Sequence, residues 1–373
     1  MKVLHAALMS QRLSGVFQQM SWEQDAAERL GLPWESRVFI PNSLEVPDER
    51  IAVRATEGDD FLAGGKTAIG SAVRWRAWRL AFYDWLQERA RGDVDLIVLR
   101  YAPNDPFRAR ATRNLDAAVV SLHHTLELEE MKLNGARVRV LAERRWGNRA
   151  LRSADHIAGV TREIADYELR RCRRVKDEAF IYPNGADMTN APHGVVPRAS
   201  VPEIVFVADN FQPWQGLDRL LTNLPETAFH LHLVGELPLS LRDMAHDSRI
   251  KCWGRLPRRE LEQLLGSASV GLSSFALDRK NMREACTLKV REYLSSGLAV
   301  YSGHADVFPD DFNYYRSGAA DMSAVVSFAR QVAGVERSRI AEASAPYISK
   351  DILLANFYST LIARRREVYG TPA

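Results

Sequence analysis

Short apolar runs alternate with longer stretches of helical periodicity along the whole chain, a pattern typical of parallel strands connected by helices. In the first half the apolar runs predict six strands: Val3–Leu8, Val38–Ile40, Leu96–Leu99, Ala118–Leu122, His156–Val160 and Ala179–Ile181. The helical stretches are Phe17–Leu30, Ala68–Arg89, a broken stretch over Thr125–Ser153, and Thr161–Arg171. Because Thr161 directly follows a predicted strand, we expect its hydroxyl to cap the next helix.

A segment rich in Pro, Gly, Asn and Ser, from Tyr182 to Pro202, separates this half from a second run of the same pattern. The Asn184-Gly185 pair within it favours a turn. The second run predicts strands Glu203–Val207, His230–Val234, Ile250–Trp253, Val270–Ser273 and Ala299–Tyr301, and helices Gly216–Asn223, Arg258–Leu265 and Leu288–Ser296. An amphipathic helix over Asp351–Val368 follows.

The restart of the pattern predicts an α/β protein with two doubly wound domains. We place the first domain at residues 1–186, a linker at 187–202, the second domain at 203–350 and a C-terminal helical segment at 351–373. Open α/β sheets bind ligands outside the carboxyl ends of their strands. The expected site is therefore the cleft between the two domains.

Composition narrows the class of protein without naming a function. A net charge of +3 over 373 residues gives no argument for nucleic acid as a partner. Three scattered cysteines are too few for a disulfide framework or a zinc site, which suits a reducing cytoplasm. The N-terminal residues read as a first strand rather than a signal peptide, and no apolar run has the length needed to span a bilayer. We expect a cytoplasmic protein, with peripheral contact on the inner face of the cell membrane left open.

The most informative stretch is EACTLKVREYLSSG, which holds Glu284 and Glu292 with seven residues between them. A helix is predicted to begin near Thr287 and to end at Gly297. Backbone N–H groups of its first turn, at Thr287 and Leu288, favour an anion because of the helix dipole. Lys289 adds a full positive charge. The alternative is an ordinary amphipathic helix with a Lys–Glu pair on its surface.

This stretch resembles the E-x7-E signature of retaining glycosyltransferases of family four, which have the GT-B fold. Further pieces occur in the family's order: Ser14-Gly15-Val16 in the first loop, ADHIAGVT, PNG, IVFVAD with QGLDRLL, and CWGRLPRREL. The resemblance covers nearly the whole chain. It implies two Rossmann-like domains facing across a cleft, with a C-terminal helix that crosses back to the N-terminal domain.

The resemblance also implies roles for individual residues. Glu284 would contact hydroxyls of the donor sugar, and Glu292 would bind the ribose of a UDP- or GDP-linked donor. Lys289, with the helix start at Thr287 and Leu288, would lie near the diphosphate. A carboxylate that accepts two hydroxyl donors makes strong, charge-assisted hydrogen bonds.

Two residues of the first domain complete the implied site. His124 resembles a histidine that faces the donor sugar; a structural or helix-capping His–Thr pair is the alternative, and His123 is the competing assignment. Gly15 would lie in a loop near the donor phosphate, where a small residue permits close approach of the backbone. As a plain turn it would need no ligand.

One departure from the family pattern concerns the leaving group. Family members carry an Arg after the first strand of the second domain and a Lys before the next Gly, whereas this chain reads Ala208-Asp209-Asn210 and Gln215-Gly216. The substitute cations that we consider are Arg279, Lys280, Arg283 and Lys289, with Arg255 nearer the base. Without such charges the departing nucleotide would be less stabilised.

Two other features have structural alternatives. Trp75, Trp78, Phe82 and Trp85 fall at helical spacing among arginines, which suits either an anionic membrane surface or, as we favour, burial against the N-terminal sheet. Asp93-Val94-Asp95 looks like a metal-binding D-x-D, but it precedes a strand directly and we interpret it as a solvated strand start. We predict no metal and no cofactor besides the nucleotide-sugar co-substrate.

The resulting hypothesis is a retaining, metal-independent glycosyltransferase that moves a sugar to a glycan or lipid-linked acceptor in bacterial polysaccharide biosynthesis. No nucleic acid partner is expected. A catalytically weak partner or scaffold protein of a polysaccharide complex is the alternative, motivated by the two missing cations. A sugar-nucleotide epimerase of the same architecture is a third reading.

Overall fold

Two β-sheets, both fully parallel, form the framework of the protein. The computed structural model describes residues 1–10, 14–56, 68–174, 179–190, 192–222, 224–242 and 246–369. These residues divide into two units. The first comprises Met1–Tyr182 together with the described residues from Leu353 onward, and the second comprises Pro183–Ile352. Each unit contains one sheet and is described by itself.

The first unit alternates strands with helices. Its strands are β1 (Val3–Leu8), β2 (Trp34–Ile40), β3 (Ala52–Arg54), β4 (Leu96–Arg100), β5 (Ala118–His123), β6 (His156–Gly159) and β7 (Phe180–Ile181). Its helices are α1 (Ser14–Leu30), α2 (Ala68–Arg91), α3 (Arg108–Arg113), α4 (Glu127–Leu133), α5 (Arg137–Ser153) and α6 (Arg162–Arg171). Among the described residues the strand order is β3-β2-β1-β4-β5-β6-β7, so the order reverses between β1 and β4.

The second unit repeats this plan. Its strands are β8 (Glu203–Asn210), β9 (His230–Glu236), β10 (Ile250–Gly254), β11 (Val270–Leu272), β12 (Val300–Ser302) and β13 (Tyr315–Ser317). Its helices are α7 (Leu217–Thr222), α8 (Leu239–Arg242), α9 (Arg258–Ser267), α10 (Leu288–Ser295), α11 (Met322–Val332) and α12 (Arg337–Ile348), and α13 (Lys350–Tyr369) follows. The strand order, within the part that is described, is β10-β9-β8-β11-β12-β13, which reverses between β8 and β11.

Alternate residues of β1 and β4 belong to opposite faces of the first sheet. Val3 and Leu96 pack in a cluster with residues of α1 and α13. Leu4 and Ile97 pack instead against α2. Because side chains alternate along a strand, a strand covered on both faces is apolar at every position. This explains why β4 is apolar as far as Leu99 and why β1 is apolar except for the buried His5, which is hydrogen-bonded to Glu23.

Helix α13 supplies part of the first unit's core. Leu354, Phe357 and Leu361 are buried in the cluster that contains Trp34 and Tyr182. The rings of Phe357 and Tyr182 stack at a centroid distance of 4.3 Å with 8° between their planes. Burying such aromatic side chains stabilises the fold by about 2 kcal/mol each. One face of the first sheet is therefore covered by residues from the far end of the chain.

The aromatic stripe of α2 is largely internal. Trp78 and Phe82 are buried, and Trp85 lies 5.9 Å from Phe39 between ring centroids. Trp75 is half-buried. The structure confirms the burial that we favoured for the centre of this stripe. No helix within the described residues is both long enough and apolar enough to cross a membrane.

Two local predictions had different outcomes. The Thr161 hydroxyl accepts a hydrogen bond from the Ile164 N–H at 3.4 Å and caps α6, as predicted. The turn predicted at Asn184-Gly185 is wrong, since no turn is formed there. A Cβ at Gly185 would lie 3.0 Å from the Ile348 carbonyl oxygen, so this glycine permits a close backbone approach instead.

Candidate functional site

The loops at the carboxyl ends of β8, β11 and β12 are tied to one another in the second unit. The Phe275 N–H donates to the Gln215 carbonyl at 2.9 Å, and the Gly303 N–H donates to the Ser274 carbonyl at 2.9 Å. These strands surround the point where the strand order reverses. Such switch points are where open α/β sheets bind their ligands.

A chain of hydrogen bonds fixes the start of α10 at this edge. The Thr287 hydroxyl accepts from the Val290 N–H at 3.4 Å and lies 3.3 Å from the Ser273 hydroxyl. Ser273 in turn lies 3.2 Å from Nε2 of His304, whose Nδ1 lies 3.0 Å from the Ala305 carbonyl oxygen. The sequence identified Thr287 but not Ser273 or His304.

The protons in this chain can be assigned from its two ends. Since the Ala305 carbonyl only accepts, His304 Nδ1 donates to it, and Nε2 is left to accept from Ser273. Ser273 then accepts from Thr287. This tautomer is neutral, and burial also lowers the pKa of His304. The chain therefore holds the N-cap of α10 without placing a charge beside it.

The two glutamates of the motif lie on either side of this helix start. Glu292 forms an ion pair with Lys289 at 2.8 Å, and both side chains are about one-third exposed. Glu284 pairs with Ala305 in an isolated parallel bridge, in which Ala305 N–H donates to the Arg283 carbonyl at 3.0 Å. Glu284 and Leu288 are both half-buried. The structure thus holds Glu284 through its backbone and Glu292 through the helix.

A buried ion pair lies behind the motif. Both guanidinium Nη atoms of Arg291 contact the Asp306 carboxylate, at 2.5 and 2.6 Å, and both side chains are fully buried. Arg291 also donates to the Asn184 carbonyl, and the Asn184 amide donates to the Cys286 carbonyl at 2.6 Å. These contacts join α10 to the segment that carries Glu284. Loss of one partner would leave an uncompensated buried charge.

The candidate cations for the diphosphate differ in their surroundings. Arg279 is held by Asp218, at 3.0 and 2.5 Å, and donates to the Pro213 carbonyl. Lys280 is buried, with its ammonium nitrogen 4.7 Å from the Trp214 ring centroid. Arg283 is exposed.

Arg255 lies 3.6 Å from Glu236, with both side chains more than half exposed. A pocket of about 730 Å³ opens beside the β8 and β9 ends, lined by Asn210, Gln212, Asp218, Glu236 and Arg279 among others. Of the cations that we predicted, Arg279 lines this pocket.

The first unit has its own pocket, of about 550 Å³, where its strand order reverses. It is lined by residues that follow β1, β4 and β5, among them Met9, Tyr101 and His124. Cationic and carboxylate groups also reach it, namely Arg100, Glu127 and Arg139. A pocket of this size fits one or two sugar rings or a comparable polar ligand.

The structure separates the two adjacent histidines. His123 is fully buried, stacks on Tyr101 at 4.2 Å between centroids, and lies 3.0 Å from the Ser121 hydroxyl. Burial lowers the pKa of His123 to about 4. His124 lines the pocket instead, and its Nε2 accepts a hydrogen bond from Arg100 at 2.6 Å. Accessibility favours His124 as the residue that can contact a ligand.

Beneath this pocket lies a buried group of charged residues that the sequence analysis missed. Donor atoms of His123, Glu127 and Glu168 lie within 4.8 Å of one another. Burial raises the pKa of Glu127 to about 8 and that of Glu168 to about 7. Arg171 contacts Glu168 at 2.9 Å and also pairs with Glu143.

One imidazole nitrogen and two carboxylate oxygens can bind a divalent cation. Within the described residues, this is the group whose ligand atoms lie close enough together to do so. His123 already has internal partners at both ring nitrogens, Ser121 and Glu127. A proton shared among the carboxyls accounts for the arrangement without an ion. Our prediction of no metal stays a prediction.

Gly15 does not lie in a loop. It belongs to the first turn of α1, so the expected flexible loop is replaced by a helix start. The apolar periodicity of α1 already includes Val16 and Phe17, directly after Gly15. What Gly15 can offer a ligand is therefore a backbone N–H at the N-terminal end of a helix.

Comparison with known proteins supports the fold. The sequence matches no protein-family model and no curated protein. Solved structures do match. A lipopolysaccharide outer core galactosyltransferase, WaaB, aligns with a TM-score of 0.60 at 12% identity, over 98% of this chain and all of that one.

Two further structures carry ligands. Anabaena Alr3699/HepE in complex with UDP and glucose aligns with a TM-score of 0.57 at 13% identity, over 97% of this chain and all of that one. An α-glucosyltransferase in complex with UDP and DNA aligns with a TM-score of 0.64 at 10% identity, over 97% and 100%. Two Rossmann-like units with parallel sheets are the GT-B architecture, and the predicted fold class is confirmed.

Proposed function

We propose that the protein is a retaining glycosyltransferase that moves a sugar from a nucleotide-sugar donor to a hydroxyl of a glycan or glycolipid acceptor. The observation that carries this proposal is the start of α10, where Glu284 shortly precedes the capped helix N-terminus and Glu292 follows it, paired with Lys289. This arrangement offers carboxylates for hydroxyl groups and positive potential for phosphates.

In this proposal the donor binds at the carboxyl edge of the second sheet. Glu292 accepts hydrogen bonds from the ribose hydroxyls, and Glu284 accepts them from the sugar. Lys289 and the N–H groups of Thr287 and Leu288 face the diphosphate. UDP in two structurally similar proteins, HepE and the α-glucosyltransferase, supports a UDP-linked donor.

The departing diphosphate also needs positively charged side chains to stabilise it. Arg279 lines the pocket beside β8 and β9 and is the best placed of the substitutes, while Arg283 is exposed in the same loop. Lys280 is already buried on Trp214, so we assign it a structural role. Arg255 lies at the end of β10 and is proposed to contact the base.

The acceptor is proposed to bind in the pocket of the first unit, where His124 hydrogen-bonds a sugar hydroxyl or orients the acceptor. The acceptor oxygen attacks the anomeric carbon on the face from which the diphosphate leaves, and its proton passes to the departing phosphate oxygen. No metal is needed for this step, because positioning and charge stabilisation suffice. The similarity to WaaB favours a role in bacterial cell-surface polysaccharide biosynthesis, whereas the DNA bound by the α-glucosyltransferase keeps other acceptors open to test.

Calorimetry with a panel of UDP- and GDP-sugars tests donor binding, and product analysis with the bound donor tests transfer. Glu284→Ala should abolish transfer while circular dichroism stays that of the wild type. Glu342→Ala, an exposed change in α12, is the matched control and should transfer normally. Retained transfer by Glu284→Ala would refute its role.

A second candidate function is that of a catalytically weak partner or scaffold protein. Two observations favour it: Ala208-Asp209-Asn210 ends β8 without an arginine, and Arg279 is occupied by Asp218. This function predicts that no nucleotide sugar in the panel binds. An epimerase would instead convert the donor without any acceptor.

A further inference from the structure

The end of α4 and the start of α5 expose three large aliphatic side chains. Val138 is 80% exposed, Leu141 is 65% exposed and Leu133 is 37% exposed. Val138 and Leu141 are three residues apart, so they lie on one face of α5. A soluble helix gains nothing from aliphatic groups held in water, and neighbouring exposed groups of this kind point to a binding surface.

The opposite face of α5 is already occupied. Val140 packs with Leu128 and Met131 of α4, and Gly147 and Leu151 are buried further along the helix. The helix therefore has an inward face of its own. Val138 and Leu141 lie on the outward face. The first turns of α5 therefore carry apolar side chains on both the inward and the outward face.

The same helix is strongly basic. It has six arginines, all exposed: Arg137, Arg139, Arg144, Arg145, Arg149 and Arg152. Its single acid, Glu143, is buried and paired with Arg171. Within the described part of the chain, no carboxylate lies within ion-pair distance of Arg137, Arg144 or Arg145. The surface thus combines unneutralised positive charge with aliphatic groups.

This surface is continuous with the pocket of the first unit. Ala136 lines both that pocket and a recess of about 440 Å³ whose walls include Gly135, Val140 and Leu141. Arg139 lines the pocket from the same turn. A molecule held on the α4–α5 turn would therefore lie at the rim of the pocket.

We propose that the α4–α5 surface, defined by Leu133, Val138, Leu141 and the arginines of α5, binds the face of an anionic lipid bilayer. Arginine guanidinium groups would contact lipid phosphates, and the aliphatic side chains would enter the headgroup region. Exposed aliphatic groups favour lipid over nucleic acid, since single strands are held by aromatic stacking and duplexes by phosphate contacts. Helix α2 is a weaker candidate because Trp78 and Phe82 are buried.

Membrane binding does not depend on the enzymatic activity. Only one consequence rests on the proposed function, namely that the surface would bring a lipid-linked acceptor to the pocket that contains His124. Vesicle binding is therefore measured without a nucleotide sugar. If the proposed function is wrong, the calorimetry with nucleotide sugars will show it, and the vesicle experiment will be unaffected.

The test is flotation of the full chain with phosphatidylcholine vesicles and with vesicles that also contain phosphatidylglycerol. Wild-type protein should float with the anionic vesicles and not with the neutral ones. Arg144→Gln/Arg145→Gln should weaken binding about tenfold or more, and added salt should weaken wild-type binding. Val138→Ser/Leu141→Ser should weaken binding to a similar degree without changing the net charge.

Arg258→Gln/Arg259→Gln in α9 is the matched control, because it removes the same charge from another exposed helix. It should bind anionic vesicles as the wild type does, and circular dichroism should show all variants folded. The proposal is overturned by wild-type protein that ignores anionic vesicles, or by α5 variants that bind them normally. It is also overturned if the protein prefers duplex DNA and the aliphatic change has no effect on either ligand.

Discussion

Both carboxylate oxygens of Asp218 hold the guanidinium of Arg279, at 3.0 and 2.5 Å. This hydrogen bond is the main reason that the pKa of Asp218 lies below its usual value. A diphosphate that uses Arg279 must therefore compete with Asp218 or share the cation with it. The pair decides how much positive charge the pocket beside β8 can offer.

Asp218→Asn should tighten binding of UDP or GDP several-fold, because it releases Arg279 from its carboxylate partner. Arg279→Gln should weaken the same binding about tenfold. Calorimetry with the free nucleoside diphosphate measures both. Asp278→Asn is the control, since Asp278 holds the neighbouring Arg219 in a similar pair, at 2.7 and 2.8 Å. Equal effects of the two asparagine changes would argue against a specific role for Arg279.

Glu292→Gln should remove the preference for a complete ribose. Wild-type protein is expected to bind UDP at least tenfold more tightly than its 2′,3′-dideoxy analogue, because Glu292 accepts hydrogen bonds from the ribose hydroxyls. In the variant the two ligands should bind alike. Loss of the Lys289 ion pair affects both ligands equally, so the ratio isolates the ribose contact. A variant that still discriminates would exclude the assignment.

Stability should fall as the pH rises from about 6.5 to 8. Burial raises the pKa of Glu127 from 4.5 to about 8, so the folded state retains a proton that the unfolded state has lost. His123, with its pKa lowered from 6.5 to about 4, acts in the opposite direction, but only below about 6.5. Burial also raises the pKa of Glu168 from 4.5 to about 7, so Glu168 adds to the loss of stability up to about pH 7.

Urea unfolding of the wild type should show a loss of about 1–2 kcal/mol across that window, and Glu127→Gln should show a smaller one. Glu88→Gln, an exposed change in α2, should leave the slope as it is in the wild type. A Glu127→Gln protein with the wild-type pH dependence would show that Glu127 is ionised in the folded state throughout.

Arg291→Met should destabilise the second unit by about 3–5 kcal/mol, because it leaves the Asp306 carboxylate buried and uncompensated. Arg291→Met/Asp306→Leu should recover much of that loss, since both charges are then gone. The midpoint of urea unfolding, followed by tryptophan fluorescence, measures each variant. A double variant as unstable as the single one would mean that the lost hydrogen bonds to Asn184 and Val307 dominate.

The sequence predicted the central strands of each sheet and the edge strands β7 and β10, and it missed the edge strands β3 and β13. Strands β1, β4 and β8 were found because burial on both faces makes them mostly apolar. Strands β3 and β13 have no buried residue, so they lack the apolar run that identified the other strands. Helix α11 was missed despite a usable signal, the Asp321 cap followed by apolar residues at helical spacing.

In the candidate site, too, some residues could be predicted from the sequence and others could not. Thr287, Lys289 and Glu292 lie close in sequence, so a local pattern was enough to group them. Ser273 and His304 reach Thr287 only because β11 lies beside β12, which is a property of the strand order and not of any local window. The separation of His123 from His124 likewise required knowing which side of β5 faces the pocket.

The packing of α13 has a consequence for how the protein is made. Leu354, Phe357 and Leu361 complete the core around Trp34, yet they are synthesised after the whole second unit. Until α13 leaves the ribosome, one face of the first sheet stays bare. A nascent chain held at that stage should attract chaperones and proteases to the first unit, although that unit leaves the ribosome first.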